Sequence, residues 1–564
     1  MEALDWLVIG VFFLALIGII VWVVRQKQND SADYFLGGRD ATWLAIGASI
    51  FASNIGSEHL IGLAGAGASS GMAMAHWEIQ GWMILILGWV FVPFYSRSMV
   101  YTMPEFLERR YNPQSRTILS VISLVSYVLT KVAVTVYAGG LVFQQVFGIK
   151  ELWGIDFFWI AAIGLVVLTA LYTIFGGMKS VLYTSVLQTP ILLLGSLIIL
   201  VLGFKELGGW DEMMRVCGAV TVNDYGDTMT NLIRSNDDAN FPWLGALIGS
   251  AIIGFWYWCT DQFIVQRVLS GKNEKEARRG TIFGAYLKLL PVFLFLIPGM
   301  IAFALHQKYI GAGGEGFLPM LGNGTANADA AFPTLVAKLL PAGVKGLVVC
   351  GILAALMSSL ASLFNSSAML FTIDFYKRFR PETPEKKLVG IGQIATVVIV
   401  ILGILWIPIM RSVGDVLYTY LQDVQSVLAP GIAAAFLLGI CWKRTSAQGG
   451  MWGMIAGMVI GLTRLGAKVY YSNAGEVADS TFKYLFYDMN WLFFCGWMFL
   501  FCIIVVIVVS LATEAPTAEK IQGLVFGTAT KEQKAATRAS WDHWDIIHTA
   551  IILAITAAFY WYFW

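Results

Sequence analysis

Apolar runs of membrane-spanning length recur along this chain, separated by short polar segments. There are about 14 of them, near 5–25, 43–70, 77–98, 117–147, 156–175, 180–203, 243–268, 282–305, 343–376, 388–410, 412–441, 448–469, 488–511 and 546–564. The pattern predicts an all-α polytopic bundle. The second run is long and broken by small residues at Gly47, Gly56, Gly62, Gly65 and Gly67. Five runs later the seventh carries Gly245, Gly249 and Gly254, and the unusually long fourth and ninth runs are also five apart. Matching irregularities at a fixed offset suggest two five-helix repeats. In inverted-repeat transporters such paired discontinuous helices mark a binding site at the membrane midplane. Glycines that let helices pack closely give the same pattern.

Composition agrees: of 564 residues, 58% are hydrophobic and 13% charged. A soluble domain carries roughly twice that charged fraction. The net charge of +1 points to neither nucleic acid nor an acidic polymer as partner. The six cysteines have no paired spacing and read as small core residues. The acidic flank of Glu2 and Asp5 and the length of the first run argue against a signal peptide. Lys and Arg cluster after the first, third, seventh and ninth runs, which predicts that side as cytoplasmic and both termini outside. The polar stretch from Ala512 to Asp545 reads as a partly disordered linker. The chain has no phosphate-binding loop of the Walker type. It also has no nucleophile–base set or metal cluster, so an enzyme is not expected.

Ionisable groups inside apolar runs cost several kcal/mol, roughly 2.5–3.5 on insertion scales, and usually face a partner or a wet cavity. Lys288 lies in such a run, Glu58 and His59 in the second, and Glu78 near the start of the third. With Asn54 and Gln422 they supply the donors and acceptors that a polyhydroxylated ligand needs. Lys288 and Glu78 as a purely structural ion pair would leave the same trace. Trp256-Tyr257-Trp258 could stack on the apolar face of a ring or simply pack helices. Ser358 and Ser362 share a helix face with Ser359 beside them. Two such hydroxyls, with carbonyls of Ala52, Ile55 and Ala355 at an unwound helix, could coordinate Na⁺. The hydroxyls could equally bond carbonyls of their own helix.

At these residues the chain resembles the sodium/solute symporter family, and within it the sodium–glucose cotransporter branch. The resemblance rests on Ala52-Ser53-Asn54-Ile55-Gly56-Ser57-Glu58-His59, Tyr101-Thr102-Met103-Pro104-Glu105-Phe106-Leu107, Ala170 to Gly177, Trp256 to Gln262, Tyr286-Leu287-Lys288-Leu289 and Met357 to Ser362. It implies a LeuT-type core of two inverted five-helix repeats, with one extra helix before and three after. The implied divisions are 1–42, 43–204, 205–242 (an outside loop), 243–441 and 442–564. It implies a plasma-membrane symporter driven by Na⁺ that works by alternating access and needs no oligomer. The solute contacts carried over are Asn54, Glu58, His59, Glu78, Lys288 and Gln422, with Tyr257 as inner gate. Leu63, Trp77 and Tyr418 match the outer gate, and Ala52, Ile55, Ala355, Ser358 and Ser359 the sodium site.

The chain also departs from the family pattern. Members with a second sodium site have an Asp where this chain has Ser185 and a Thr where it has Ala361; Ser362 remains. One Na⁺ per solute is therefore expected. Gly254 replaces a hydrogen-bonding residue, and Gly81 stands where some members have Ser. A glucose- or galactose-like hexose is the expected solute. Myo-inositol or another polyol is the nearest alternative, and a sugar-gated sensor or channel of the same fold is the next.

Overall fold

A computed structural model describes the chain except residues 27–29, 57, 323, 412–416 and 474–477; the side chains of 129–130, 406–407, 409–421 and 472–473 also lie outside the described set. The helices fall where the apolar runs predict them. The first run is the helix Ala3–Val24, the tenth Glu385–Arg411, the thirteenth Trp491–Ala512 and the fourteenth His543–Tyr562. Eleven helices among the described residues are long and apolar enough to cross a membrane. The fifth and sixth spans follow each other directly over Phe157–Leu207 as two helices, divided at Gly177, whose φ is +52°. An L side chain rarely adopts that conformation, so the glycine sets the turn between them.

Peripheral helices expose their apolar side chains: Leu7, Leu14, Trp497 and Trp561 all face outward. With no water to compete for the backbone, a helix is the one local structure that satisfies its own peptide groups there. At the centre of the bundle helices pack closely through glycines such as Gly67 and Gly299.

Both expected interruptions are present. The helix Trp43–Asn54 stops at an extended Ile55 (ψ 104°) and resumes with a wide turn over Glu58–Leu63. The helix Trp243–Gly254 widens over Phe255–Thr260, and an extended Asp261 separates it from Gln262–Leu269. Each break leaves the carbonyls of a last helical turn without their usual partners. These two broken helices position the site.

One expectation fails. The stretch from Ala512 to Asp545 is folded rather than a loose linker. It holds the helices Ala518–Ile521 and Lys531–Ala539, the latter closed by a capping box of Thr530 and Gln533. Arg97 donates to Thr537 at 2.8 Å, and Arg278 bonds Ser540. Its low hydropathy reflects fixed hydrogen bonding to the bundle rather than disorder.

Candidate functional site

Seven helical segments converge on one cavity between the two breaks. It is lined by Asn54, Glu58 and His59 of the first broken helix, and by Trp77 and Glu78 of the short turn Ala75–Glu78. Tyr257 comes from the second broken helix and Lys288 from the last residue of Glu274–Lys288. Ser359, Gln422 and Lys131 come from three further helices.

The polar groups form a chain. Lys288 donates to a Glu78 oxygen at 2.6 Å and to the Asn54 amide oxygen at 3.1 Å. Asn54 in turn donates to the Tyr257 hydroxyl at 3.1 Å. His59 lies 3.3 Å from the same Glu78 oxygen. Lys288 and Glu78 are both nearly fully buried, at 3% and 1% exposure. A buried pair of this kind gains little by itself, because desolvation offsets attraction. Its remaining donors and acceptors are directed by the surrounding helices. Glu58 folds back against Gly56, where an added Cβ would stand 2.5 Å from the carboxylate. Gln422 is buried, and its carbonyl oxygen has no hydrogen-bond partner among the described residues.

Aromatic rings close the cavity. Trp77 stacks on Trp491 (5.5 Å, 22°) and meets Phe241 edge-on. Tyr257 lies edge-on to Trp258, and Lys288 sits 5.4 Å from the Trp258 ring centre. Leu63 is buried but does not line the cavity. Tyr418 lies outside the described side chains.

Beside the cavity, the first break faces the ninth span. Ala52, Ile55, Ala355, Ser358 and Ser359 are all buried. The groups these residues offer, the Ser358 and Ser359 hydroxyls and the Ala52 and Ile55 carbonyls at the helix end, are all oxygen, the donor type that suits a hard cation. Ser185 bonds Ser358 at 3.2 Å and Ser53 bonds Ser362 at 2.6 Å. The hydroxyls of Ser185 and Ser358, and those of Ser53 and Ser362, thus satisfy each other.

The two glycine departures have physical reasons. A Cβ on Gly254 would stand 2.5 Å from the Gln80 amide oxygen. Gln80 fills that space, donating to Ser250 O at 2.8 Å and accepting from the Trp258 indole at 3.2 Å. A Cβ on Gly81 would meet the Ala285 carbonyl at 2.8 Å, so close helix packing keeps that position small.

Sequence reasoning missed Gln80, Gln425 and Lys131, all of which line the cavity. Lys131 carried a readable signal, since it is a cation within the apolar fourth run. Gln425 carried the same signal as Gln422, a polar side chain within the apolar eleventh run, whereas Gln80 carried none, because a glutamine at a helix N-terminus is common.

Two discontinuous helices crossing at a buried polar cavity within a bundle of membrane-spanning helices define a secondary-transporter fold. A solved Na⁺-coupled sialic acid symporter in a substrate-bound outward-open state has the same fold; it aligns over 92% of this chain and 99% of its own, with a TM-score of 0.73 at 22% identity. The sequence model of the sodium:solute symporter family matches residues 34–457, and the chain belongs to that family. It is 37% identical to sodium/myo-inositol cotransporter 2 of Mus musculus over 94% of this chain and 80% of that protein. It is 35% identical to sodium/glucose cotransporter 4 of Danio rerio over 96% of this chain and 84% of that one. The protein is a multi-pass membrane symporter, and Na⁺ is its coupling ion.

Near the first broken helix, Asp329 lies in the loop after Gly311, against Gly65. One of its carboxylate oxygens has no partner among the described residues. Burial pushes its pKa up from 3.8 to about 6. The folded state therefore holds the proton more tightly than the unfolded chain, and stability falls as pH rises between those values. Asp329→Asn will stabilise the protein by roughly 1–3 kcal/mol near neutral pH, with the difference vanishing toward about pH 4. Thermal unfolding of both proteins across that range measures it.

Proposed function

We propose that the cavity carries an uncharged polyhydroxylated ring, an aldohexose of the glucose or galactose kind, with one Na⁺ per solute. The observation that carries this reading is the set of oriented donors and acceptors of Lys288, Glu78, Asn54, His59 and Gln422 around one buried cavity beside Tyr257. A ring that carries hydroxyls on most of its carbons needs both donors and acceptors, and its apolar face suits stacking on a tyrosine. Glu58 and Glu78 disfavour a carboxylate solute. Myo-inositol is the second reading. It presents a similar ring of hydroxyls, without the ring oxygen and hydroxymethyl group of a hexose, and the similarity to sodium/myo-inositol cotransporter 2 favours it.

In this reading Na⁺ enters from outside, to Ala52, Ile55, Ala355, Ser358 and Ser359. It ties the first broken helix to the ninth span and favours the outward-open state, since a ligand shifts an equilibrium only by binding one state better. The solute then bridges Glu78, Lys288, His59 and Gln422. Trp77, Leu63 and Tyr418 close on the outer side, and Tyr257 opens on the inner. The membrane is the plasma membrane, with both termini outside.

The test is uptake of labelled glucose, galactose and myo-inositol into proteoliposomes, under an inward Na⁺ gradient and a matched K⁺ gradient. Sodium-dependent accumulation above equilibrium supports symport, and cross-competition names the solute. Solute-evoked current without accumulation would mark the sensor or channel instead. The sodium dependence will have a Hill coefficient near one, because Ser185 and Ala361 stand where a second site would need a carboxylate and a hydroxyl; a coefficient near two would overturn the stoichiometry. Ser359→Ala will raise the sodium concentration for half-maximal uptake roughly tenfold, the loss of one oxygen to a charged partner. Its unfolding temperature will stay close to wild type.

A further inference from the structure

The cavity holds a second lysine on the wall opposite Lys288. Lys131 is 7% exposed and donates to Asp261 at 2.6 Å. Asp261 is itself 3% exposed and is the extended residue at the second helix break. The Tyr127 hydroxyl bonds the same carboxylate, and the Phe263 N–H donates to that hydroxyl at 3.0 Å. The ammonium also sits 4.8 Å from the ring centres of both Tyr257 and Phe263, and 5.4 Å from Trp256. One cation thus grips the break through its carboxylate and the gate tyrosine through its ring face. Cation–ring attraction is strongest where the cation is desolvated, and Lys131 is buried.

We infer that Lys131 is a positioning residue for the gate: its pairing with Asp261 and its seat on Tyr257 hold the second helix break closed while the first half of the cycle proceeds. It lies four residues from Asp261's other partner, Tyr127, on the same helical stretch, so both contacts pull on one element. Opening at Tyr257 separates the ammonium from the ring and wets the pair. A wet ion pair is weak, whereas the dry one requires both partners. Removing the lysine alone leaves Asp261 a buried carboxylate without its ammonium partner, held by the Tyr127 hydroxyl and the Phe263 N–H, and it hydrates best in the open state. The population then shifts toward that state without any change in the solute's own contacts. The inference rests on the transport reading above only for what the gate encloses.

The experiment compares wild type, Lys131→Gln, Lys131→Arg and the double variant Lys131→Gln/Asp261→Asn in proteoliposomes. The primary readout is Na⁺ leak with no organic solute present, so it does not depend on which solute is carried. Wild-type uptake in the same vesicles tests the transport reading separately. Lys131→Gln is expected to raise the leak about tenfold and lower maximal uptake by a similar factor, while the solute concentration for half-saturation moves less than threefold. The double variant, which restores a neutral hydrogen-bonded pair, and Lys131→Arg are expected to return the leak to within about threefold of wild type. An unchanged leak in Lys131→Gln overturns the inference. So does a large loss of solute affinity at normal maximal rate, which would make Lys131 a solute contact. If Lys131→Gln fails to fold, the double variant decides: leak at the wild-type level with full uptake supports the pairing role, and a tenfold leak overturns it.

Discussion

Lys288→Ala will lose solute binding by at least a hundredfold, with the protein still present in the membrane. Two effects act together. The variant removes a cation that donates at 2.6 Å to Glu78 and at 3.1 Å to Asn54. It also leaves Glu78, 1% exposed, as a buried carboxylate that has lost its lysine, with His59 at 3.3 Å. Breaking a buried pair from one side costs about 3–5 kcal/mol, which is more than two decades in an equilibrium constant. Part of that cost falls on folding and part on the bound state. The double variant Lys288→Met/Glu78→Gln separates them. It removes both charges at nearly constant volume, so thermal stability should recover to near wild type while binding stays absent. Equilibrium binding of the transported solute, measured beside thermal unfolding, checks both. Transport at the wild-type level by Lys288→Ala would show that this cavity is not the solute site.

The legible part of this molecule is the part governed by the membrane. A helix must be apolar to face lipid, so the hydrophobic runs mark the helices, and the first run at 5–25 becomes Ala3–Val24. The same constraint makes every buried charge conspicuous, which is why Lys288 and Glu78 stand out and do meet. The breaks were visible as glycines, but glycine serves two ends here. At Gly56 it makes room for Glu58 to fold back, while at Gly81 it only permits a close helix approach. Sequence spacing does not distinguish these.

What stayed hidden was set by partners distant along the chain. Gln80 reaches Ser250 and Trp258, more than 160 residues away, and its place in the cavity depends on Gly254 lacking a side chain. Lys131 finds Asp261 across 130 residues. The folded 512–545 stretch was misread because its polarity is satisfied by Arg97 and Arg278, whose own runs gave no hint of it. In each case a polar side chain takes its meaning from a helix that the local pattern does not identify. Substrate identity is hidden for a related reason: a hexose and an inositol call on the same kinds of donor and acceptor side chain.

The largest effect on folding is expected from Gly299→Ala. A Cβ at Gly299 would fall on the backbone carbonyl oxygen of Ala64, with the Ala64 carbonyl carbon at 2.8 Å and its Cα at 3.0 Å. On the facing helix, a Cβ at Gly67 would fall on the carbonyl oxygen of Leu296, with Gly299 Cα at 3.3 Å. The two backbones therefore touch from both sides, through a pair of glycines. Ile297–Gly311 holds Ala64–Ser70, the continuation of the first broken helix past its break. Neither clashing atom is the end of a flexible side chain, so one helix must move. Overpacking of this kind costs about 1–3 kcal/mol where side chains can adjust, and more where only backbone is available. Small residues at such crossings are what let membrane helices associate at all. Displacing Ala64–Ser70 also displaces Leu63 and His59 immediately before it, so solute affinity should fall along with stability. Gly10→Ala is the control: nothing lies within 4 Å of the added Cβ there. Thermal unfolding in detergent should show Gly299→Ala lowered by at least about 5 °C, or no monodisperse protein, and Gly10→Ala unchanged. A normal unfolding temperature for Gly299→Ala would mean that the two helices do not touch at this crossing, and that the first broken helix is held by something other than its glycine face.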